Sequence, residues 1–203
     1  MGLGVTLATK TFLINDGNQS FLVSPGPENS ELSKMLDNSQ KLAILAPNLF
    51  HHIFLHKYQD RDAEFYGPLE VLRKNQKLQK HLHTHEEFIE KFSGNFDFVP
   101  IEGVPKLHEL VLYHKKDKTL IVTDISFNIS NHRNKYSKFV INLFTGGQGL
   151  NEDRIVKFLT KDKKLFKQSL KKIIDLPFEK VLFHHGDPME DGEIYRSFLK
   201  KLC

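Results

Sequence analysis

The chain has 203 residues, 39% hydrophobic and 27% charged, with a formal net charge of +4. That length suits one domain, 1–203, able to bury its own core. The single cysteine, Cys203, excludes disulfide frameworks and cysteine-based zinc sites and fits a reducing cytoplasm. No apolar run approaches the ~18 residues that mark a membrane span.

The N-terminal MGLGVTLATKTFLI reads as a first strand rather than a signal peptide, having one lysine, a short apolar stretch and no clear cleavage site. TFLIND (11–16) and SFLVSP (20–25) flank Asp16-Gly17, a hairpin signal. PENSELSKML (27–36) predicts a short helix opened by Pro27 or Ser30. KLAILAP (41–47) is a continuous apolar run, the pattern of a strand buried on both faces. Asn48 stands where a helix cap belongs, and LFHHIFLHKY (49–58) predicts a helix with His52 and His56 four apart on one face. DAEFYGP (62–68) is a short strand, and 67–95 predicts helix, loop and helix.

FDFVPI (96–101), LHELVLYH (107–114) and KTLIVTD (118–124) read as strands, the last two joined by the turn KKDK. NKYSKFVINLF (134–144) predicts a helix before the glycine-rich TGGQG (145–149), and two helices fill about 151–174. The lysines of KDKKLFKQSLKK (161–172) fall on the solvated face of the second. EKVLFHHG (179–186) is a last buried strand and EDGEIYRSFLKKL (190–202) a closing helix.

Among 11 histidines, the alternation in KHLHTHEEF first draws the eye to His81, His83 and His85. Thr84 with Glu87 fits a capping box, which makes 84–92 a surface helix and its histidines ordinary first-turn residues. Three strand ends carry more chemistry: His51 and His52 after 41–46, Asp124 after 118–123, and His184 and His185 before Gly186. In open α/β sheets, ligands gather beyond the carboxyl ends of strands.

The stretches LAPNLFHHIFLHKY, LHELVLYHKKDKTLIVTDISFN and VLFHHGDPMEDGE, in that order and spacing, resemble the metallo-β-lactamase superfamily, and within it the domain-of-unknown-function family 4336. The resemblance covers nearly the whole chain. It implies an α/β fold, a four-layer αβ/βα sandwich of the metallo-β-lactamase type with a metal cleft along one edge. Active members carry T-H-x-H-x-D-H, a later histidine, a bridging aspartate and a final histidine. On this sequence the motif falls on residues 46–52, so Pro47 and Leu49 stand at its first two histidines and Pro105 at or near the later one. The first-metal ligands are therefore absent.

The second-metal positions become His51, His52, Asp124 and His185, a donor set suited to one Zn²⁺ or Fe²⁺. Asp124, His108 and Glu109 are the candidate catalytic or proton-transfer groups. His108 and Glu109 alternate at a strand start, so one of them should face the cleft. The implied function is a single-metal hydrolase acting on a small molecule. The alternative is a non-catalytic descendant that binds a small molecule or protein, with or without an ion. The mild charge and the lack of recognition segments argue against nucleic acid. Segments 67–95 and 127–150 carry no motif that names a substrate.

Overall fold

The computed structural model describes residues 9–17, 19–38, 41–74, 82–130 and 148–203. The expected helix over 134–144, most of TGGQG and His81 lie outside the described residues. The chain divides into two compact units, Thr11–Asn95 and Phe96–Cys203 with Lys10, and each has its own sheet and core.

The Thr11–Asn95 unit is built on a five-stranded sheet, β1 (Phe12–Asp16), β2 (Gln19–Val23), β3 (Leu42–Leu45), β4 (Ala63–Gly67) and β5 (Leu82–Thr84), in that order. β1 and β2 form an antiparallel hairpin that turns at Gly17 with φ 66°, a left-handed geometry glycine adopts without cost. From β2 to β5 the strands run parallel. Parallel strands are covered on both faces, and Leu42–Leu45 is buried at every position.

α1 (Ser30–Asp37) lies between β2 and β3 in sequence and is capped by Asn29, whose side chain accepts from the Leu32 N–H. α2 is Leu69–Lys74 and α3 is His85–Phe92. One core joins Leu22, Leu36, Ile44, Leu55, Tyr58 and Phe65. A second set of aromatic contacts joins Phe21, Tyr66, Phe88 and Phe92, with Phe21 and Phe92 edge to face at 4.9 Å. Each such ring contributes about 1.5–3 kcal/mol by leaving water.

The Phe96–Cys203 unit carries a four-stranded sheet. β6 (Phe96–Pro100), β7 (Leu110–His114) and β8 (Thr119–Val122) form an antiparallel meander, and β11 (Lys180–Phe183) pairs parallel with β8. A separate antiparallel pair joins β9 (Ser126–Ile129) to β10 (Gly149–Glu152). Three helices follow: α4 (Arg154–Leu159), α5 (Lys163–Ile174) and α6 (Gly192–Leu202), each opened by an aspartate whose carboxylate accepts backbone N–H groups. Phe166, Leu170 and Ile173 of α5 join Val111, Val122, Phe183, Tyr195 and Leu199 in one core, and the lysines face outward as the spacing predicted. No described helix is long and apolar enough to cross a membrane.

One expected element is absent. Residues 49–58 form turns and a 3-10 helix at Leu55–Tyr58 instead of an α-helix. The Asn48 side chain accepts from the N–H of Phe50 at 2.8 Å and of His51 at 3.1 Å. His52 Nδ1 donates to the Leu49 carbonyl and His56 Nδ1 to that of Ile53, so imidazoles take carbonyls an α-helix would give to backbone N–H groups. The apolar spacing misled because Phe50 and Ile53 are exposed rather than buried along one face. The helical His52/His56 pair is accordingly not formed.

Candidate metal centre

The Phe96–Cys203 unit brings Asp124 and His185 together, with His184 next to His185. In the parallel pair β8–β11, Val122 lies opposite Phe183, so Asp124 and His185 each stand two residues beyond the last paired position. The carboxyl ends of both strands thus deliver them together. Asp124 Oδ1 lies 3.2 Å from His185 Nε2, and both residues are buried. Two donors bound at ~2.0–2.1 Å to one tetrahedral ion would sit about 3.3 Å apart, so this spacing suits neighbouring ligands.

His184 adds a second imidazole, its ring edge to face with that of His185 at 4.4 Å and with a ring nitrogen within 4.8 Å of one on His185. The backbone locks the pair. The His184 N–H donates to the Val122 carbonyl, the Lys10 N–H donates to the His184 carbonyl, and the Asn128 N–H donates to that of His185. The His185 ring also rests against Phe127, edge to face at 4.9 Å. Gly186 is obligatory there: its φ is 122°, and a Cβ would meet the Asn128 carbonyl oxygen at 2.0 Å.

The surroundings are acidic. Glu109 is fully buried, and burial with the nearby Asp124 charge pushes its carboxyl up to about 7. Asp153, at the start of α4, is pushed up to about 7 mainly by burial, with Asp124 adding to the rise. His108 is exposed, with φ 53°, whereas Glu109 beside it points inward. Two buried carboxyls beside Asp124 favour a cation and cost stability when ionised without one. Imidazole and carboxylate with no thiolate are a donor set for Zn²⁺ or Fe²⁺.

The Thr11–Asn95 unit holds the other two sequence-predicted ligands. His51 Nδ1 pairs with the Ser24 hydroxyl at 2.5 Å. His52 Nδ1 donates to the Leu49 carbonyl at 2.8 Å, which puts the lone pair of its neutral ring on Nε2. Metal-binding histidines commonly carry such a backbone bond on the far nitrogen.

From Leu82 to Glu87 the stretch LHTHEE is accounted for by packing and capping. Thr84 and Glu87 form the expected capping box, and Phe88 and Phe92 are buried on the inner side of α3. His83 falls in β5, a strand the polar sequence before it did not suggest, and its ring stacks on Tyr66 at 5.0 Å. His85 Nε2 donates to the Ala46 carbonyl at 2.9 Å.

His184 is the residue the sequence placed at the right strand end but left out of the ligand set. The HH pair before Gly186 was the signal that could have included it.

No family model matches this sequence, and no curated protein does. Solved structures do. The chemotaxis sensor ODP, described as a peroxy diiron species, matches with a TM-score of 0.62 at 12% identity, over 100% of this chain and 89% of its own. The DIM-1 metallo-β-lactamase matches with a TM-score of 0.59 at 11% identity, over 97% of this chain and 86% of its own. An archaeal metallo-β-lactamase superfamily protein, ST1585 from Sulfolobus tokodaii, matches with a TM-score of 0.55 at 16% identity, over 96% of this chain and 80% of its own. At such identities a likeness speaks for fold alone, and the fold of this chain is that of the metallo-β-lactamases.

Proposed function

We propose that this protein binds one divalent transition-metal ion with a reduced metallo-β-lactamase-type centre and is a single-metal hydrolase of a small molecule. The observation that carries the reading is the approach of Asp124 Oδ1 to His185 Nε2, 3.2 Å apart beyond the paired ends of β8 and β11, with the His184 ring against that of His185. The resemblance to the superfamily, and within it to family 4336, adds His51 and His52 as ligands from the APNLFHH stretch. It also removes the first-metal ligands, whose positions are taken by Pro47, Leu49 and Pro105. A two-metal clamp on substrate is therefore outside the reading.

Asp124 and His185 supply one anionic and one imidazole donor, and His184 supplies a further imidazole. Glu109 and Asp153 are buried carboxyls nearby that a bound cation would help to ionise. Zn²⁺ or Fe²⁺ would supply Lewis acidity toward a substrate oxygen. Metal analysis of protein purified without chelator tests the reading: about one equivalent is expected, and less than about a third of any transition metal overturns it.

A second reading, a non-catalytic descendant binding a small molecule or protein, has its own support. Asp124 and His185 already pair with each other, so they are satisfied as a hydrogen-bonded polar pair. Under it, zinc leaves the melting temperature of the parent unchanged, as it does that of the double variant His52→Ala/His185→Ala.

A further inference from the structure

Glu109 precedes β7 in the chain, yet both of its oxygens serve the three residues that follow β8. Oε1 accepts from the Thr123 N–H at 2.9 Å, and Oε2 accepts from the N–H groups of Asp124 at 3.0 Å and Ile125 at 3.1 Å. Three successive N–H groups aimed at one anion make a concave donor array of the kind that binds phosphate elsewhere. In this chain the protein's own carboxylate fills it. The carboxylate is itself anchored, because the Ile101 N–H donates to the Glu109 carbonyl at 2.8 Å. Thr123 and Asp124 are buried, so these N–H groups have no ready exchange with water.

We propose that Glu109 is a positioning residue for the metal centre: by fixing the backbone of 123–125 it aims the Asp124 carboxylate at the point it shares with His185 Nε2. The inference rests on the reading of Asp124 and His185 as ligands, and it assigns Glu109 no contact with ion or substrate. Only a carboxylate of this length does the work. Glutamine keeps one acceptor and turns an NH₂ toward N–H donors, and aspartate is one methylene short of reaching all three.

Co²⁺ titration followed by visible absorption, with amide hydrogen exchange, tests this. Glu109→Gln should bind Co²⁺ about 10–100-fold more weakly than the parent, the cost usual for losing an outer hydrogen-bond partner, with a displaced d–d band. Exchange at residues 123–125 should quicken while β11 keeps its protection. An unchanged Co²⁺ affinity and spectrum would overturn the proposal. If Glu109→Gln does not fold, the parent decides: its 123–125 amides should be protected like those of β8, and exchange at unstructured-peptide rates overturns it. A parent that takes up no Co²⁺ sinks the ligand reading instead. The exchange comparison then still shows whether Glu109 holds the 123–125 backbone.

Discussion

The chain contains the dipeptide His-His twice, each time just after a buried strand, and the two are held by different physics. His184 and His185 extend a parallel strand pair; their backbones are bonded to Val122, Lys10 and Asn128, and their rings are buried. His51 and His52 sit in turns, half-buried, fixed by the Asn48 cap and by imidazole bonds to Ser24 and Leu49. One pair inherits its geometry from a sheet. The other depends on a few side-chain hydrogen bonds. A site built on sheet ends is expected to be rigid before any ligand arrives, and one built on turns to gain order from it.

The largest break in this comparison should come from Gly186→Ala. The left-handed φ and the 2.0 Å approach to Asn128 leave no room for a methyl group, so a loss of at least about 3 kcal/mol is expected in urea unfolding. A loss below about 1 kcal/mol would show that the turn after His185 is not rigid.

Zinc should stabilise the parent by about 2.7 kcal/mol when present at a hundredfold excess over its dissociation constant, read as a rise in melting temperature. His185→Ala should abolish that rise. His51→Ala should weaken it, and His184→Ala asks whether the second buried imidazole belongs to the set. A metal-independent melting temperature in the parent would favour the satisfied polar pair.

The acidic surroundings predict a pH effect of definite sign. Asp153 has a folded-state value raised to about 7 from an ordinary value of 3.8. A raised carboxyl binds its proton more tightly folded than unfolded, so its contribution is fully present below about pH 4 and is lost as pH rises through about 7. Such a group steepens the metal-free stability curve by at most about 1.4 kcal/mol per pH unit. Asp153→Asn keeps an oxygen for the Ile155 N–H and should flatten the curve between those limits. An unchanged slope would deny that Asp153 is protonated in the fold.

The smallest effect belongs to the turn-held pair. Asn48→Ala removes the acceptor for two N–H groups and should cost about 1 kcal/mol, with a matching loss of zinc-dependent stabilisation. A normal zinc response would mean that His51 is placed by something other than this cap.

Much of the architecture was readable from pattern. The FLIND hairpin, the buried runs at 42–45, 119–122 and 180–183, the Thr84–Glu87 capping box and the lysine-faced α5 all follow from periodicity and local chemistry. The 49–58 segment was not, because helical spacing says nothing about side chains that compete for the carbonyls. β5 was missed for the opposite reason: a half-buried edge strand of three residues leaves no alternation to see. β9 and β10 lie in a stretch without a readable motif, and their pairing is long-range.

The sequence by itself determined which residue types stand at the strand ends: histidines and an aspartate, with no cysteine among them. It could do so because residue type and local spacing are properties of the chain alone. Only the tertiary structure decided that Asp124 and His185 meet, because that depends on β8 and β11 pairing in parallel register between segments far apart in sequence. It also decided which backbone N–H groups meet the Glu109 carboxylate. Whether a buried carboxylate transfers a proton or grips a backbone depends on which N–H groups surround it, and those come from another strand.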